Sequence, residues 1–359
     1  MVGTGRCSRS KGRPNRLLAT RVNAQTQVRS PNVTEDTVEL GNSGLRVSAL
    51  GVGSWSWGDR TGYWGFGKEG NQKDDNRQAY QALTDAGITF IDTAEAYGFG
   101  QSEEFLAGFM KATNTQPVVA TKFAPFPWRV TRGSVVSACK ASLQRLQLDS
   151  VGLYMQHWPG FLTNGWSNDA FLEGLADCHE QGLAKAIGVS NFKEERLRKA
   201  HRALKARGVP LASNQVQYSL LYKAPERNGV LNTCQELGVS LVAYSPLCQG
   251  ALTGKYTLDN RPSGPRSTFV NESNIRQIQP LLGLMREIAE GRGGKSLAQV
   301  AINWTICKGA IPIPGAKNAR QAADIAGALG WRLTAEEVRA LDVESDKLSV
   351  GVQAPFEKW

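Results

Sequence analysis

Seven short apolar runs in this chain end on a polar or ionisable group, and the spacing of those ends constrains the fold most. The ends carry Asp92, Lys122, His157, Ser190-Asn191, Gln215, Tyr244 and the segment Gly315 to Lys317. From Asp92 to Tyr244 the steps are 30, 35, 33, 25 and 29 residues, each close to one strand-plus-helix unit. Runs such as Val151 to Met155 are continuous rather than alternating, as strands covered on both faces should be. A parallel barrel of such units brings every strand's C-terminal end to one mouth. The expected fold class is therefore α/β, a (β/α)8 TIM barrel, with the polar ends facing a common pocket.

Local signals place the elements. Thr37 to Ser48 holds two short alternating runs around Gly41-Asn42-Ser43-Gly44, a β-hairpin signal; such a hairpin would cover the barrel floor. Barrel strands are expected at 47–52, 88–91, 118–121, 151–155, 184–189, 211–214, 239–243 and 310–313. Helices are expected at 74–86, 102–110 with Ser102 as N-cap, 131–146, 171–180, 194–206, 231–237, 298–307 and 320–329. Thr334-Ala-Glu-Glu337 is a capping-box start for an extra C-terminal helix to about Leu341. The stretch 245–294, rich in Gly and Pro, is too long for an ordinary βα loop and reads as functional.

Charge is concentrated at the front. Of the net +10, six charges come from Arg6, Arg9, Lys11, Arg13, Arg16 and Arg21, and no acid precedes Glu35. An Arg- and Ser-bearing segment without acids or an apolar core reads as an organellar transit peptide, chloroplast first and mitochondrion as the alternative. Residues 1–36 are thus expected to be a transit peptide or disordered leader, and 37–359 the barrel domain. No uncharged apolar run reaches the roughly 18 residues needed to span a bilayer. The basic segment Lys193 to Arg207 lacks interleaved aromatics and reads as a solvated outer helix, so no nucleic-acid partner is expected. The cysteines Cys7, Cys139, Cys178, Cys234, Cys248 and Cys307 are scattered, with no C-x-x-C pair. They read as free thiols, mostly buried, and no metal is expected.

Three strand ends carry chemistry that fits together. Asp92 closes one strand and Tyr97 follows five residues later; Lys122 and His157 close the next two. A buried lysine beside a carboxylate stays charged, and its charge is expected to draw a neighbouring phenol's pKa from about 10 toward neutrality. Such a phenol can protonate a carbonyl oxygen while hydride reaches the carbon, and the histidine can orient that carbonyl. Trp55, Trp57, Tyr63 and Trp64 crowd the first loop, and Trp128 and Trp158 follow two later strands. Aromatic walls suit flat or apolar carbonyl substrates, with Trp57, Trp64 and Trp158 as the pocket candidates.

The segments Phe90–Gly98, Thr121-Lys122, Gln156-His157, Gly188–Phe192, Asn214–Tyr218 and Ala243–Leu247 resemble the signatures of the aldo-keto reductases, over about residues 37–345. Trp55-Ser-Trp-Gly58 and the basic leader resemble plant and algal chloroplast members in particular. The resemblance implies NADPH/NADP+ as cofactor, a small carbonyl substrate, and a catalytic tetrad of Asp92, Tyr97, Lys122 and His157 with Tyr97 as general acid. It implies that Ser190, Asn191 and Gln215 hold the nicotinamide carboxamide and that Tyr244 stacks on its ring. Ser245, Pro246, Leu247, Gly250, Leu252 and Lys255 would follow the pyrophosphate, in a long loop covering the cofactor. Gly315, Lys317, Arg320 and Gln321 would meet the adenosine 2′-phosphate, with Gln321 standing where the family usually carries an arginine. The rival implication is a nucleotide-binding sensor subunit similar to the potassium-channel β subunits, with slow or no turnover.

Overall fold

The computed structural model describes residues 1–3, 36–59, 63 and 72–350. All but the first three lie in one compact unit, Asn32–Trp359. Residues 4–35 of the expected leader, with Cys7, and Trp64 and the last nine residues fall outside the described residues, while Asp36, at the leader's expected end, is tied into the fold through Ala49 N and Arg332.

Two strands, β1 (Thr37–Glu39) and β2 (Arg46–Ser48), form an antiparallel hairpin with Val38 opposite Val47. Eight parallel strands follow: β3 (Val52–Gly53), β4 (Phe90–Asp92), β5 (Val118–Phe123), β6 (Val151–Gln156), β7 (Ala184–Ser190), β8 (Leu211–Gln217), β9 (Ser240–Tyr244) and β10 (Ile311–Ile313). They pair in sequence order. The first and last meet through Gly51 N to Pro312 O and Gly53 N to Pro314 O, each 3.0 Å. This is the eight-stranded barrel expected.

The expected first strand, 47–52, divides between two structures. Val47 belongs to the hairpin and Val52 to the barrel, because the Ser48 hydroxyl bonds Leu50 O at 2.6 Å and turns the chain out of the ladder. The hairpin seals the floor as expected. Leu40 and Val47 enter the inner core with Phe90, Leu153, Met155 and Ile313, and Gly41 N donates to Ser240 Oγ at 2.8 Å. Gly41 has φ +56°, and a Cβ there would run into the Ala212 carbonyl; only glycine fits.

The helices are α1 (Gln72–Asp85), α2 (Gln101–Thr113), α3 (Arg132–Leu146), α4 (Asn168–Glu180), α5 (Glu194–Ala206), α6 (Ala224–Arg227), α7 (Val230–Leu237), α8 (Glu272–Gln277), α9 (Gln279–Gly291), α10 (Leu297–Cys307), α11 (Ala319–Ala326) and α12 (Ala335–Asp346). The capping box at Thr334 and Glu337 forms as expected and starts α12, which runs past Leu341 to Asp346. Ser102 is not an N-cap: α2 begins at Gln101, and the Ser102 hydroxyl instead meets Ser54 Oγ at 2.7 Å in the core. The stretch 245–294 is not loop throughout, since α8 and α9 occupy its second half. Leu281, Leu282, Met285 and Ile288 bury one face of α9, a helical spacing that the surrounding Gly and Pro residues obscured.

The basic segment forms α5, and much of its charge is spent on neighbours. Arg198 bridges Glu194 and Glu236, Lys199 meets Asp169 at 2.7 Å, and Arg207, just past its end, pairs with Glu173, Asp177 and Glu180. Cys139, Cys178, Cys234 and Cys248 are buried free thiols and Cys307 is partly exposed. Among the described residues no helix is long and apolar enough to cross a membrane.

Candidate active site

Alternation along the strands aims the reactive groups into the barrel. Phe90, Ala120 and Met155 belong to the inner core, so Asp92, Lys122 and His157, each two residues further on, point inward as well. The Lys122 ammonium joins three groups: Asp92 Oδ2 at 2.7 Å, Thr93 O at 2.8 Å and Tyr97 OH at 3.2 Å. The His157 ring stands edge-on to Tyr97 with centroids 5.6 Å apart. All four members of the expected tetrad are therefore together.

The second layer fixes this geometry. Thr93 N donates to Ala120 O at 2.8 Å and its hydroxyl to Ser102 Oγ at 3.0 Å, which sets the carbonyl that Lys122 grips. Gln215 Nε2 donates to Asp92 Oδ1 at 2.7 Å, so this amide, expected on the carboxamide, also orients the carboxylate. Its own backbone carbonyl accepts from Ser190 Oγ at 2.8 Å. Asn191 Nδ2 donates to His157 O at 3.1 Å, and Tyr244 OH donates to Asn191 Oδ1 at 3.1 Å. The four residues expected at the nicotinamide thus form one network with the tetrad.

Burial shapes the protonation states. Burial holds the Asp92 carboxyl above its ordinary value, and the Lys122 ammonium, with the Gln215 amide, offsets only part of that rise. Burial alone would discharge Lys122, but Asp92 and then Tyr97 hold it above its usual value. The expectation that Lys122 draws Tyr97 toward neutrality is not met. Desolvation raises the phenol above its ordinary value of 10.0, and the lysine only offsets part of that rise. A phenol that keeps its proton is still suited to donate it. Burial, then the Lys122 charge, lowers His157 well below 6.5, so the ring is neutral at pH 7. Its buried Nδ1 has no hydrogen-bond partner among the described residues, leaving a polar atom open to a ligand.

The segment after β9 fits a phosphate-bearing cofactor. Ser245, Cys248 and Gln249 have positive φ, and Gly250 follows at +94°. Lys255 lies across Gly250, where a Cβ would meet its Cε at 2.9 Å. Consecutive left-handed residues beside an ammonium suit an anion. Leu252 is fully buried and belongs to the core, so it is not presented to such a ligand; Pro246 is buried and Leu247 packs on the core. Gly315 and Arg320 are exposed, and Lys317 is partly buried, around the N-terminus of α11. Gln321, expected on the phosphate, is engaged in capping, with its Oε1 accepting from Lys317 N at 2.9 Å.

The aromatic wall differs from expectation in one ring. Trp57 is not a pocket residue: it is fully buried, donates from Nε1 to Ala316 O at 2.7 Å and packs edge-on against Tyr80 and Phe109. Trp55, two positions earlier, is the ring at the site, 6.3 Å from Tyr97 and 4.9 Å from Tyr63. On the other side Trp158 lies 4.6 Å from His157, Phe126 meets Trp158 edge-on, and Trp128 stacks on Phe126 at 5.0 Å. The rings run continuously from Tyr63 through Trp55, Tyr97, His157, Trp158 and Phe126 to Trp128. The density of tryptophans flagged this wall; which of Trp55 and Trp57 faces it depends on how the loop turns.

Comparison with known proteins bears on the family and the fold. Residues 49–344 match the Aldo/keto reductase family model. The chain is 44% identical over 308 residues to the chloroplastic pyridoxal reductase of Arabidopsis thaliana, covering 83% of each protein. Its fold matches the glycerol dehydrogenase of Gluconobacter oxydans with a TM-score of 0.76 at 27% identity, covering 87% of this chain and 95% of that one. An aldo-keto reductase of Klebsiella pneumoniae solved in complex with NADPH matches with a TM-score of 0.65 at 25% identity, over 86% and 94% of the two chains. With the fold, the barrel-mouth constellation and these matches in agreement, the chain belongs to the aldo/keto reductase family.

Proposed function

We propose that this protein reduces a planar, ring-bearing aldehyde to its alcohol at the expense of NADPH, with Tyr97 as the general acid. The observation that carries the reading is the Lys122 ammonium, bonded at once to the Asp92 carboxylate and the Tyr97 hydroxyl beside a neutral imidazole. When bound, the cofactor supplies the hydride. The chain's residues do the rest. The carbonyl oxygen takes a hydrogen bond from His157 and receives its proton from Tyr97 OH. Lys122, kept charged by Asp92, stabilises the phenolate that remains. Ser190, Asn191 and Gln215 supply amide and hydroxyl groups for the carboxamide, and Tyr244 a flat face for the ring. Lys255, and Lys317 with Arg320, supply cations for the phosphates, which favours NADPH over NADH.

Two observations support the substrate class. The wall from Trp55 to Trp128 offers π-faces on both sides of the Tyr97 hydroxyl. The Arabidopsis relative is named for pyridoxal, itself a flat heteroaromatic aldehyde. That relative is chloroplastic, and the acid-free basic stretch of residues 1–24 supports a plastid address here too. Steady-state oxidation of NADPH and of NADH with pyridoxal, benzaldehyde and propanal tests the reading. Turnover is expected with NADPH and greatest with the ring aldehydes. Tight NADPH binding without turnover on any carbonyl would favour the sensor alternative.

A further inference from the structure

Three side chains that take no part in the tetrad, Glu95, Arg129 and Asn164, staple three segments of the barrel mouth together. Glu95 lies between Asp92 and Tyr97 on the loop after β4, and its side chain is 8% exposed. Its Oε1 accepts from Ala124 N at 2.6 Å, on the loop after β5. Arg129, further along that loop, closes a two-pronged pair onto the same carboxylate and also donates to Ala124 O at 2.9 Å. Its guanidinium lies over the rings of Phe123 and Phe126, 5.2 Å from each centroid. From the opposite side comes Asn164, buried in the loop after β6. Its Nδ2 lies 3.0, 2.9 and 3.2 Å from the carbonyls of Pro125, Phe126 and Arg129. Thr163 adds a bond to Pro127 O at 3.1 Å.

These bonds join the segments after β4, β5 and β6 directly, the last through the 3-10 turn Leu162–Ser167, and those segments carry Tyr97, the Phe126–Trp128 stack and Trp158. A buried carboxylate without its partner is strongly unfavourable, so the Glu95–Arg129 pair holds one geometry. Arg129 has a planar fork and a face for ring packing, neither of which lysine reproduces. Trp128 is 74% exposed and stacks on Phe126. We propose that Arg129, held by Glu95 through its side chain and by Asn164 through its backbone, is a positioning residue. It sets the Phe126–Trp128 stack relative to the Tyr97 hydroxyl and so selects ring-bearing over small aldehydes. The inference rests on the reductase reading and deepens it.

The test uses the NADPH-loaded enzyme with benzaldehyde and propanal, comparing Arg129→Met, Arg129→Lys and Asn164→Ala with the unaltered chain. KM for benzaldehyde is expected to rise about tenfold in all three, while kcat and KM for propanal and the NADPH dissociation constant stay within about twofold. Arg129→Lys is not expected to rescue, because charge alone does not restore the fork. Trp128→Ala, at an exposed ring, is expected to reproduce the benzaldehyde effect with an unchanged melting temperature, and guards against a clamp variant that fails to fold. Equal losses on both aldehydes, or an unchanged benzaldehyde KM in the folded variants, would overturn the proposal. No turnover of either aldehyde by the unaltered enzyme would instead reject the reductase reading beneath it.

Discussion

The ends of β4 to β6 and the segment after β9 serve one pocket but are built on different physics. At the first, buried side chains dominate: Lys122 bonds Asp92 and the Thr93 carbonyl, Gln215 bonds Asp92, and the Thr93 hydroxyl bonds Ser102, at 2.7 to 3.0 Å. At the second, backbone shape dominates, with three non-glycine residues at positive φ and turns closed by Cys248 N to Ser245 O and Gly250 N to Leu247 O, each 2.9 Å. A buried polar network has one low-energy arrangement, because every unpaired member is costly. A strained loop stores its cost in dihedral angles, and a ligand that fits can repay it. Damage to the first region is therefore expected in the chemical step, and damage to the second in cofactor affinity.

The sharpest way to break this contrast is Tyr97→Phe. Turnover is expected to fall by two orders of magnitude or more, with NADPH affinity measured by fluorescence titration nearly unchanged. Lys122→Met is expected to do similar damage to kcat and also to lower the melting temperature, since it strands Asp92 in the core without its counter-charge. A large loss of NADPH affinity in Tyr97→Phe would erase the division between the regions.

Smaller effects sharpen it. Gly250→Ala places a Cβ against Lys255 at a φ that L-residues avoid; the NADPH dissociation constant is expected to rise about tenfold with kcat little changed. Arg320→Ala is expected to cut the NADPH over NADH preference by a few fold and leave NADH kinetics alone. A matching loss with NADH would show that the arginine does not meet the 2′-phosphate.

The mildest predicted effect is on pH. Because Tyr97 is raised, the reduction rate is expected to stay flat through neutrality and to fall only above about pH 10, as the phenol loses its proton. A limb near neutrality would contradict the burial argument. His157 is lowered in the folded state, so its contribution to stability is complete above about pH 6.5 and is lost as pH falls below that value. The loss is at most about 1.4 kcal/mol per pH unit. Thermal melting of His157→Gln is expected to show a shallower decline between pH 6.5 and 5 than the unaltered chain.

Much of this architecture was legible in the residues. Strand ends repeated at strand-plus-helix spacing and put Asp92, Lys122 and His157 at one mouth; that they share the inner face with Phe90, Ala120 and Met155 is a finding of the structure. The second half of 245–294 was harder to read, because Pro280 and Gly283 sit in α9 beside its apolar stripe. Pro280 occupies the first turn, where its missing N–H costs nothing. Ser102 was misread because a hydroxyl near a helix start suits a cap and a buried bond equally well.

What the chain settles by itself is which groups arrive at the mouth, since strand periodicity and unit length are local properties. Packing decides how they face one another. β8 carries one extra residue opposite Ile187 and Gly188 of β7, and past that bulge Gln215 faces inward to Asp92 while Asn214 turns outward to bond Phe192 O at 2.9 Å. A one-residue shift exchanges the two faces of a strand, and no local pattern reveals it. The choice of Trp55 over Trp57 and the meeting of Glu95, Arg129 and Asn164 are of the same kind. Each depends on loops distant in sequence closing against one another, and such contacts exist only once the barrel has formed.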